Sequence, residues 1–440
     1  RTHMRHRLIS VLLCFLCAFL IGCTHTKENR TDFTHPVTDD NVVKEPDTVY
    51  HWAQPSVFED MDPVITQKTD RDSFFTEYAL PEAEDDAVDC FSRHSVVEEE
   101  NLQYGTYYLS SDGETHKACA SAACREDLTA VCDHLTSQDM VHAAVWYGDS
   151  LYYIGTTLSR PSGRTVEWFL LRWKNGADSY EKLFSSDRLL TEIQFHGGIL
   201  YLKAPRNYVG DNSIYYAVNI DAAVYTEIEV DGSVYRFGKD VIVKIDQTGA
   251  YFTNRFLEPI EKCSGEKYLG QVYGNHYYYL SEKTLYRTAQ GTKGKAQKLA
   301  ENIAAFTVCD GALFYMPDTG KDAETLFYYQ EYAEKDGSIV VTNENAPYTG
   351  FRNLVIRCAD MDSDGRLTKD RVAFQPAEAE QEWIMLYMED YRYGSAVQIQ
   401  TVTAGDGQYV QYTKAYYLID KKGEASLGVS ESRLDADRMQ

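Results

Sequence analysis

Ala143-Ala-Val-Trp-Tyr-Gly-Asp-Ser-Leu-Tyr-Tyr-Ile154 decides the fold. A short apolar run meets a Tyr-Gly-Asp-Ser turn, and a second run with paired aromatics leads away from it. Gly and Asp tolerate positive φ, so the stretch predicts a tight β-hairpin. The same grammar recurs three times. Glu192-Ile-Gln-Phe195 turns at His196-Gly-Gly198 into Ile199-Leu-Tyr-Leu202. Gln271-Val-Tyr273 turns at Gly274-Asn275 into His276-Tyr-Tyr-Tyr-Leu280. Phe306-Thr-Val-Cys309 turns at Asp310-Gly311 into Ala312-Leu-Phe-Tyr-Met316.

A second kind of hairpin accompanies these. Trp168-Phe-Leu-Leu-Arg-Trp173 leads through Lys174-Asn-Gly176 to Glu181-Lys-Leu-Phe184, and Thr284-Leu-Tyr-Arg287 leads to Gln297-Lys-Leu-Ala300. Leu354-Val-Ile-Arg-Cys358 leads to Arg371-Val-Ala-Phe374, and Ala415-Tyr-Tyr-Leu-Ile-Asp420 leads to Glu424-Ala-Ser-Leu427. The unit is therefore two hairpins, recurring roughly every 40 to 50 residues, which is the spacing of propeller blades. The fold class expected is all-β, a β-propeller of about seven four-stranded blades, with six or eight as alternatives. A large β-sandwich or two smaller β-domains stay open. No long helical pattern occurs, and Ser213 to Cys263 and Asp318 to Tyr348 carry insertions that make the spacing irregular.

Upstream lies an export signal. Met4 reads as the start, Arg5 and Arg7 form a positive region, and Leu8 to Ile21 is an apolar run of 14 residues broken only by Ser10. That is short of the roughly 20 residues a membrane-spanning helix needs and fits a signal peptide. Leu20-Ile-Gly-Cys23 closes it. The alternative is an ordinary signal peptide or short signal anchor with a chance cysteine. The expected division is a signal at 1–22, an acidic tether at 23–72, a propeller domain at 73–430 and a polar tail at 431–440. The tether is polar and acidic without periodicity, although Tyr50, Trp52 and Phe58 are apolar enough to dock.

The chain carries a net charge of −24, and removing residues 1–22 takes away three arginines and no acid, giving −27. This disfavours nucleic acid, whose phosphates require clustered Lys and Arg. Tyrosine outnumbers phenylalanine, 34 to 18, which suits half-exposed pleated surfaces. Cys14 and Cys17 belong to the signal, and Cys23 directly follows it. The seven others are Cys90, Cys119, Cys124, Cys132, Cys263, Cys309 and Cys358, an odd number that cannot all pair within the chain. Cys309 and Cys358 lie in strand-like runs and read as small core residues.

Cys119-x4-Cys124-x7-Cys132-x-His134 is the strongest site candidate. Three thiolates and an imidazole suit tetrahedral Zn²⁺. The favoured alternative is one disulfide, for example between Cys119 or Cys124 and Cys132, which suits an exported loop, with Cys90 as the outside candidate partner. Asp360-x-Asp362-x-Asp364-Gly365 resembles the start of a Ca²⁺ loop, but the twelfth position is Arg371 where a bidentate Glu belongs, so an ordinary hairpin turn is favoured. No cofactor is otherwise expected. Tyr277-Tyr-Tyr279, Phe327-Tyr-Tyr329 and Tyr416-Tyr417 are candidates for stacking on sugar rings, against packing between blades. Catalytic motifs are absent: no Gly-x-Ser-x-Gly, no His-Glu-x-x-His, no phosphate loop and no Gly-x-Gly-x-x-Gly.

Leu20-Ile-Gly-Cys23 resembles the bacterial lipobox. Gly148-Asp-Ser-Leu-Tyr-Tyr-Ile154, Leu285-Tyr-Arg287 and Arg357-Cys-Ala-Asp-Met-Asp-Ser-Asp-Gly365 resemble blades of the TolB-like and low-density-lipoprotein-receptor-like type. Together they resemble a group of uncharacterised β-propeller lipoproteins from Firmicutes, which also carry a cysteine-rich stretch before a blade. The group's His two residues after the second cysteine is Glu126 here, and His134 stands at that spacing after Cys132 instead. The resemblance implies lipidation of Cys23 and a place on the outer face of the cell membrane. Two or three acyl chains, at roughly 0.8 kcal/mol per buried CH₂, anchor stably. The expected role is non-catalytic: a monomer binding a glycan, a peptide or an envelope protein. The alternatives are an extracellular polysaccharide lyase or glycosidase, and a sensory or assembly accessory of a transporter or kinase.

Overall fold

The computed structural model describes residues 61–83, 88–96, 102–109, 115–117, 139–158, 165–177, 179–205, 212–264, 270–318, 324–335, 338–350, 355–375, 382–391, 394–404, 410–423 and 425–433. They are mostly β, arranged as successive antiparallel sheets.

Sheet I runs up and down through Asp139–Tyr147, Ser150–Leu158, Thr165–Lys174 and Glu181–Ser186. Its first strand is extended by Val88–Val96, then Leu102–Leu109 and Thr115–Lys117. Sheet II follows with Glu192–His196, Ile199–Pro205, Asn212–Asn219 and Val224–Asp231. Sheet III holds Val234–Phe237, Ile242–Asp246, Gly249–Thr253 and Pro259–Ser264; sheet IV holds Gln271–Tyr273, His276–Ser281, Thr284–Ala289 and Gln297–Ala300. Sheet V joins Ile303–Cys309 and Ala312–Pro317 to Ile356–Met361 and Leu367–Phe374. Between its second and third strands the chain makes a separate hairpin, Glu324–Lys335 with Ser338–Gly350. Sheet VI holds Glu382–Tyr391, Gly394–Ala404, Val410–Asp420 and Ala425–Arg433.

The first strand of each sheet lies against the first strand of the next, from I through VI. Val88–Val96 lies against the last strand of sheet VI. A separate hydrophobic cluster fills each gap. Leu200, Leu202, Ile214 and Tyr216 face sheet I, whereas their alternates Tyr201 and Tyr215 face sheet III. A strand buried on both faces needs apolar residues at consecutive positions, which is why these strands read as unbroken runs.

All four aromatic hairpins occur in the expected register. Their turns differ in type. Gly148 and Gly274 take positive φ at the first of two loop residues, whereas Asp310 and Gly311 both take positive φ, which is the type I′ geometry. The Ser281–Thr284 hairpin forces the same I′ geometry on Glu282 (φ 46°) and Lys283 (φ 67°). Left-handed backbone costs an ordinary L-residue roughly 1–2 kcal/mol. The double substitution Glu282→Asn with Lys283→Gly is expected to raise stability by about 1 kcal/mol, after loss of the Lys283–Asp318 ion pair, whose lysine is exposed. An unchanged or lowered urea midpoint would contradict this.

One expectation is corrected. Ser213 to Cys263 carries no insertion: it completes sheet II and, with Ser264, supplies sheet III. Its strand Val224–Asp231 alternates polar with apolar residues, and Val234–Phe237 and Ile242–Asp246 carry no paired aromatics. The end of the expected tether docks on the sheets. Val64 and Ile65 donate backbone hydrogen bonds to Lys182 and Leu183 of sheet I, and Gln67–Lys68 pairs in parallel with Val224 and Tyr225 of sheet II. The helix Arg71–Thr76 then buries Phe74 in the gap between sheets II and III. The segment is polar because Ile65 and Phe74 are its only buried residues among those described.

Candidate functional site

Up-and-down strands give each sheet two ends. The turns between first and second strands share one end. In sheets I, II, IV and V they are two residues long: Gly148-Asp149, Gly197-Gly198, Gly274-Asn275 and Asp310-Gly311. The opposite end receives the connections between second and third strands, including the hairpin Glu324–Gly350. Its strands, of 12 and 13 residues, are the longest among the described residues. Binding surfaces gather on connections held by a rigid scaffold, so this end is the candidate site.

Polar side chains of the first strands join sheet to sheet. His196 Nδ1 donates to the Gly238 carbonyl at 2.7 Å, from sheet II to sheet III. Arg236 Nε donates to the Gly270 carbonyl at 3.3 Å, from III toward IV. The Gln271 amide binds Val308 like a backbone unit: Nε2 donates to its carbonyl at 2.6 Å, and Oε1 accepts from its N–H at 2.7 Å. Tyr273 Oη accepts from Gly311 N at 2.8 Å. These groups are engaged in holding the first strands together.

Burial pushes the His196 imidazole below its ordinary pKa; the Gly238 bond opposes this and Arg255 adds to it. Burial lowers His276 likewise. The folded chain therefore binds fewer protons than the unfolded chain once pH falls below about 6.5. Stability held above that pH is lost as pH drops toward the folded values. Urea midpoints at about pH 7.5 and about pH 5 should show this loss, and His196→Gln, which can still donate to Gly238, should reduce it. Equal acid sensitivity in the variant would exclude His196 as a contributor.

Cys23, Cys119, Cys124, Cys132 and His134 lie outside the described residues. Cys90 pairs through its backbone with Ala144. Asp360, Asp362 and Asp364 share one hairpin without converging on a centre. Asp360 binds Lys369 at 3.1 Å and Arg371 at 3.3 Å, and these cations hold its carboxyl below the usual range. Asp362 accepts from the Arg366 N–H at 2.8 Å, an Asx-type turn contact. Among the described residues no group of three His, Cys, Asp or Glu is placed to hold a metal. Tyr277-Tyr-Tyr279 pack between sheets rather than offering a sugar platform, because all three are buried: Tyr277 and Tyr279 pack toward sheet III and Tyr278 toward sheet V. Tyr417 packs on Phe374, with ring centroids 4.5 Å apart. Phe327, Tyr328 and Tyr329 fall within the long hairpin.

Cys263, Cys309 and Cys358 are buried. Burial pushes the Cys263 thiol up to about 12 and that of Cys358 to about 11. Thiolate is the reactive form. N-ethylmaleimide at neutral pH should therefore leave both unmodified until denaturant is added; mass-spectrometric detection of either adduct in the folded chain would contradict this.

No family model matches the chain, and no curated protein matches it. Solved structures similar to it include one of a study of two prolyl endopeptidases, at 10% identity and a TM-score of 0.35, covering 68% of this chain and 51% of that one. A puromycin hydrolase structure matches at 10% identity and a TM-score of 0.37, covering 86% and 58%. An uncharacterised protein from Listeria monocytogenes EGD-e matches at 10% identity and a TM-score of 0.31, covering 63% and 90%. The chain thus spans about half the length of the prolyl endopeptidase chain it resembles.

Proposed function

We propose that the chain is a lipid-anchored β-propeller on the outer face of a cell membrane, binding a peptide, glycan or envelope protein without catalysing a reaction on it. The observation that carries the propeller is the succession of four-stranded meanders whose first strands are neighbours in order. Blades stacked around an axis have that connectivity. Val88–Val96, set between the last strand of sheet VI and the first of sheet I, supports a seventh unit closing the ring. The apolar run ending at Cys23 supports the anchor. The long hairpin at the open end of sheet V supports a binding role.

Two measurements test this. Alkyne-palmitate should label the chain in a bacterial host, and Cys23→Ser should abolish the label. A thermal-shift screen against cell-wall fragments, sugars and peptides should find a ligand, since ligand at 100 times its Kd stabilises by roughly 2.7 kcal/mol. Retained label in the variant removes the anchor. Turnover of a bound glycan would replace the binding role with an enzymatic one.

A further inference from the structure

We propose that Asn175 is a site of spontaneous modification: its side-chain amide is lost through a cyclic imide formed with Gly176, leaving aspartate or isoaspartate in the folded chain. Asn175-Gly176 is the one Asn-Gly pair in the sequence, and every other asparagine is followed by a residue with a side chain. The pair opens the connection from Thr165–Lys174 to Glu181–Ser186 in sheet I.

The turn leaves both reacting groups free. Asn175 and Gly176 are exposed. A Cβ built on Gly176 would meet nothing within 4 Å, so the space beside the attacking residue is open. Among the described residues no acceptor takes the Gly176 N–H and no partner holds the Asn175 side-chain amide. The turn is held only at its flanks: Asn175 N donates to the Asp149 carbonyl at 2.8 Å, and Ala177 N to the Lys174 carbonyl at 2.9 Å. That closure, with Gly176 at φ 83°, is a type II turn. Ring closure requires rotation about the Asn175 Cα–C bond. The same rotation flips the central peptide plane of such a turn, and glycine on its far side accepts either sense of φ.

The other asparagines with described surroundings are restrained. Asn219 donates to the Ala79 carbonyl and accepts from Ala222 N. Asn254 holds Glu258 through Nδ2 and accepts from Phe256 N and Glu258 N through Oδ1. Asn302 precedes Ile303, whose N–H is given to the Lys283 carbonyl at 2.9 Å. Asn275 precedes His276, which is paired in the ladder with Tyr273.

The step balances without a co-reactant other than water. The Gly176 nitrogen loses its proton to base and attacks Asn175 Cγ. The N–Cγ bond forms, the Cγ–Nδ2 bond breaks, and Nδ2 leaves as ammonia. Water then opens the imide. Cleavage of the new bond gives aspartate; cleavage of the original peptide bond gives isoaspartate, with the main chain running through the former side chain. Either product adds one negative charge beside the Gly148-Asp149 turn.

The test incubates the folded full chain at neutral and at mildly alkaline pH, followed by trypsin digestion. The peptide from Asn175 to Lys182 reports the site. It should gain the mass of an amide-to-carboxyl conversion, faster at the higher pH, and most of the product should accept a methyl group from isoaspartyl methyltransferase. Peptides carrying Asn254, Asn275 or Asn302 should convert at least severalfold more slowly in the same sample. Gly176→Ala should slow the reaction by crowding the nitrogen. Alanine is strained at this φ, so Asn175→Gln, which keeps the glycine and would need a larger ring, serves as the second variant and should not convert. Conversion at Asn175 no faster than at the other three, conversion only after unfolding in urea, or a carboxyl product free of isoaspartate overturns the proposal.

Discussion

Phe74→Ala should destabilise the chain by roughly 3–5 kcal/mol, the range for removing a buried phenylalanine. Phe74 is fully buried among Tyr201, Tyr215, Val224 and Tyr235, where sheets II and III meet. The helix presenting it has only six residues. An isolated helix of that length does not persist in water. Asp70 caps it by accepting from the Ser73 N–H at 3.0 Å, but a cap cannot offset so short a ladder. Packing must therefore hold it. Phe75 meets Phe256 edge-to-face at 4.7 Å, and Arg71 lies over the Phe256 ring and 2.9 Å from Glu258. The loop it grips holds Leu257 at φ 65°, a costly conformation for a branched residue. Asn254 Oδ1 accepts from the N–H groups of Phe256 and Glu258 and braces that loop. Loss of Phe74 should thus release the segment as well as lower the global midpoint. Two readouts separate these effects: the urea midpoint, and trypsin cleavage at Lys68 and Arg71. A variant within about 1 kcal/mol of the parent, with unchanged cleavage, would mean the segment only rests on the sheets.

That segment marks where the sequence stops being legible. The hairpins around Gly148, Gly274 and Gly311 announce themselves, because a strand packed on both faces needs consecutive apolar residues and a two-residue turn needs Gly, Asn or Asp. Sheet III has neither signal in full: Ile242-Val-Lys-Ile-Asp246 alternates, and its connection to the next strand passes through Gln247-Thr248. Residues 61–83 carry few apolar letters, and their docking depends on the outer edges of two sheets that only the fold brings together. The candidate site divides similarly. Asp360, Asp362 and Asp364 have the spacing of a cation loop, and what removes that role is Lys369 and Arg371 folding back onto Asp360. Tyr277-Tyr-Tyr279 has the composition of a sugar platform, and burial between sheets removes it. The long hairpin was visible only as an insertion, because nothing local says which end of a sheet a connection leaves from.

Glu167→Gln should cost about 3 kcal/mol, whereas Lys182→Met combined with Glu167→Leu should return close to the parent. Lys182 is 2% exposed, although it stands on the last strand of sheet I in Glu181-Lys-Leu-Phe184. A register shift between Leu170 and Leu171 pairs Lys182 with Leu171, so it shares a face with Phe169 and Leu171, opposite the core that holds Leu170 and Phe184. Its Nζ lies 2.8 Å from Glu167 Oε2 and 5.8 Å from the Phe169 ring centroid. Ser185 Oγ donates to the other Glu167 oxygen. Removing the carboxylate strands a buried ammonium, the expensive way to break a buried pair. Glu167 keeps 24% exposure, so the cost should fall at the low end of the usual range. Replacing both groups removes the desolvation of each along with their attraction, and the pair need not be missed. The double-mutant cycle measures the difference directly. If the double variant is as unstable as the sum of the single ones, the two residues act independently and the pair does not set the local structure. If it matches the parent, the ion pair contributes little net stability. Lys182 also accepts the Val64 N–H through its carbonyl at 3.0 Å, and that backbone contact survives every side-chain change. The docked segment should therefore stay protected from trypsin in the double variant, in contrast to Phe74→Ala.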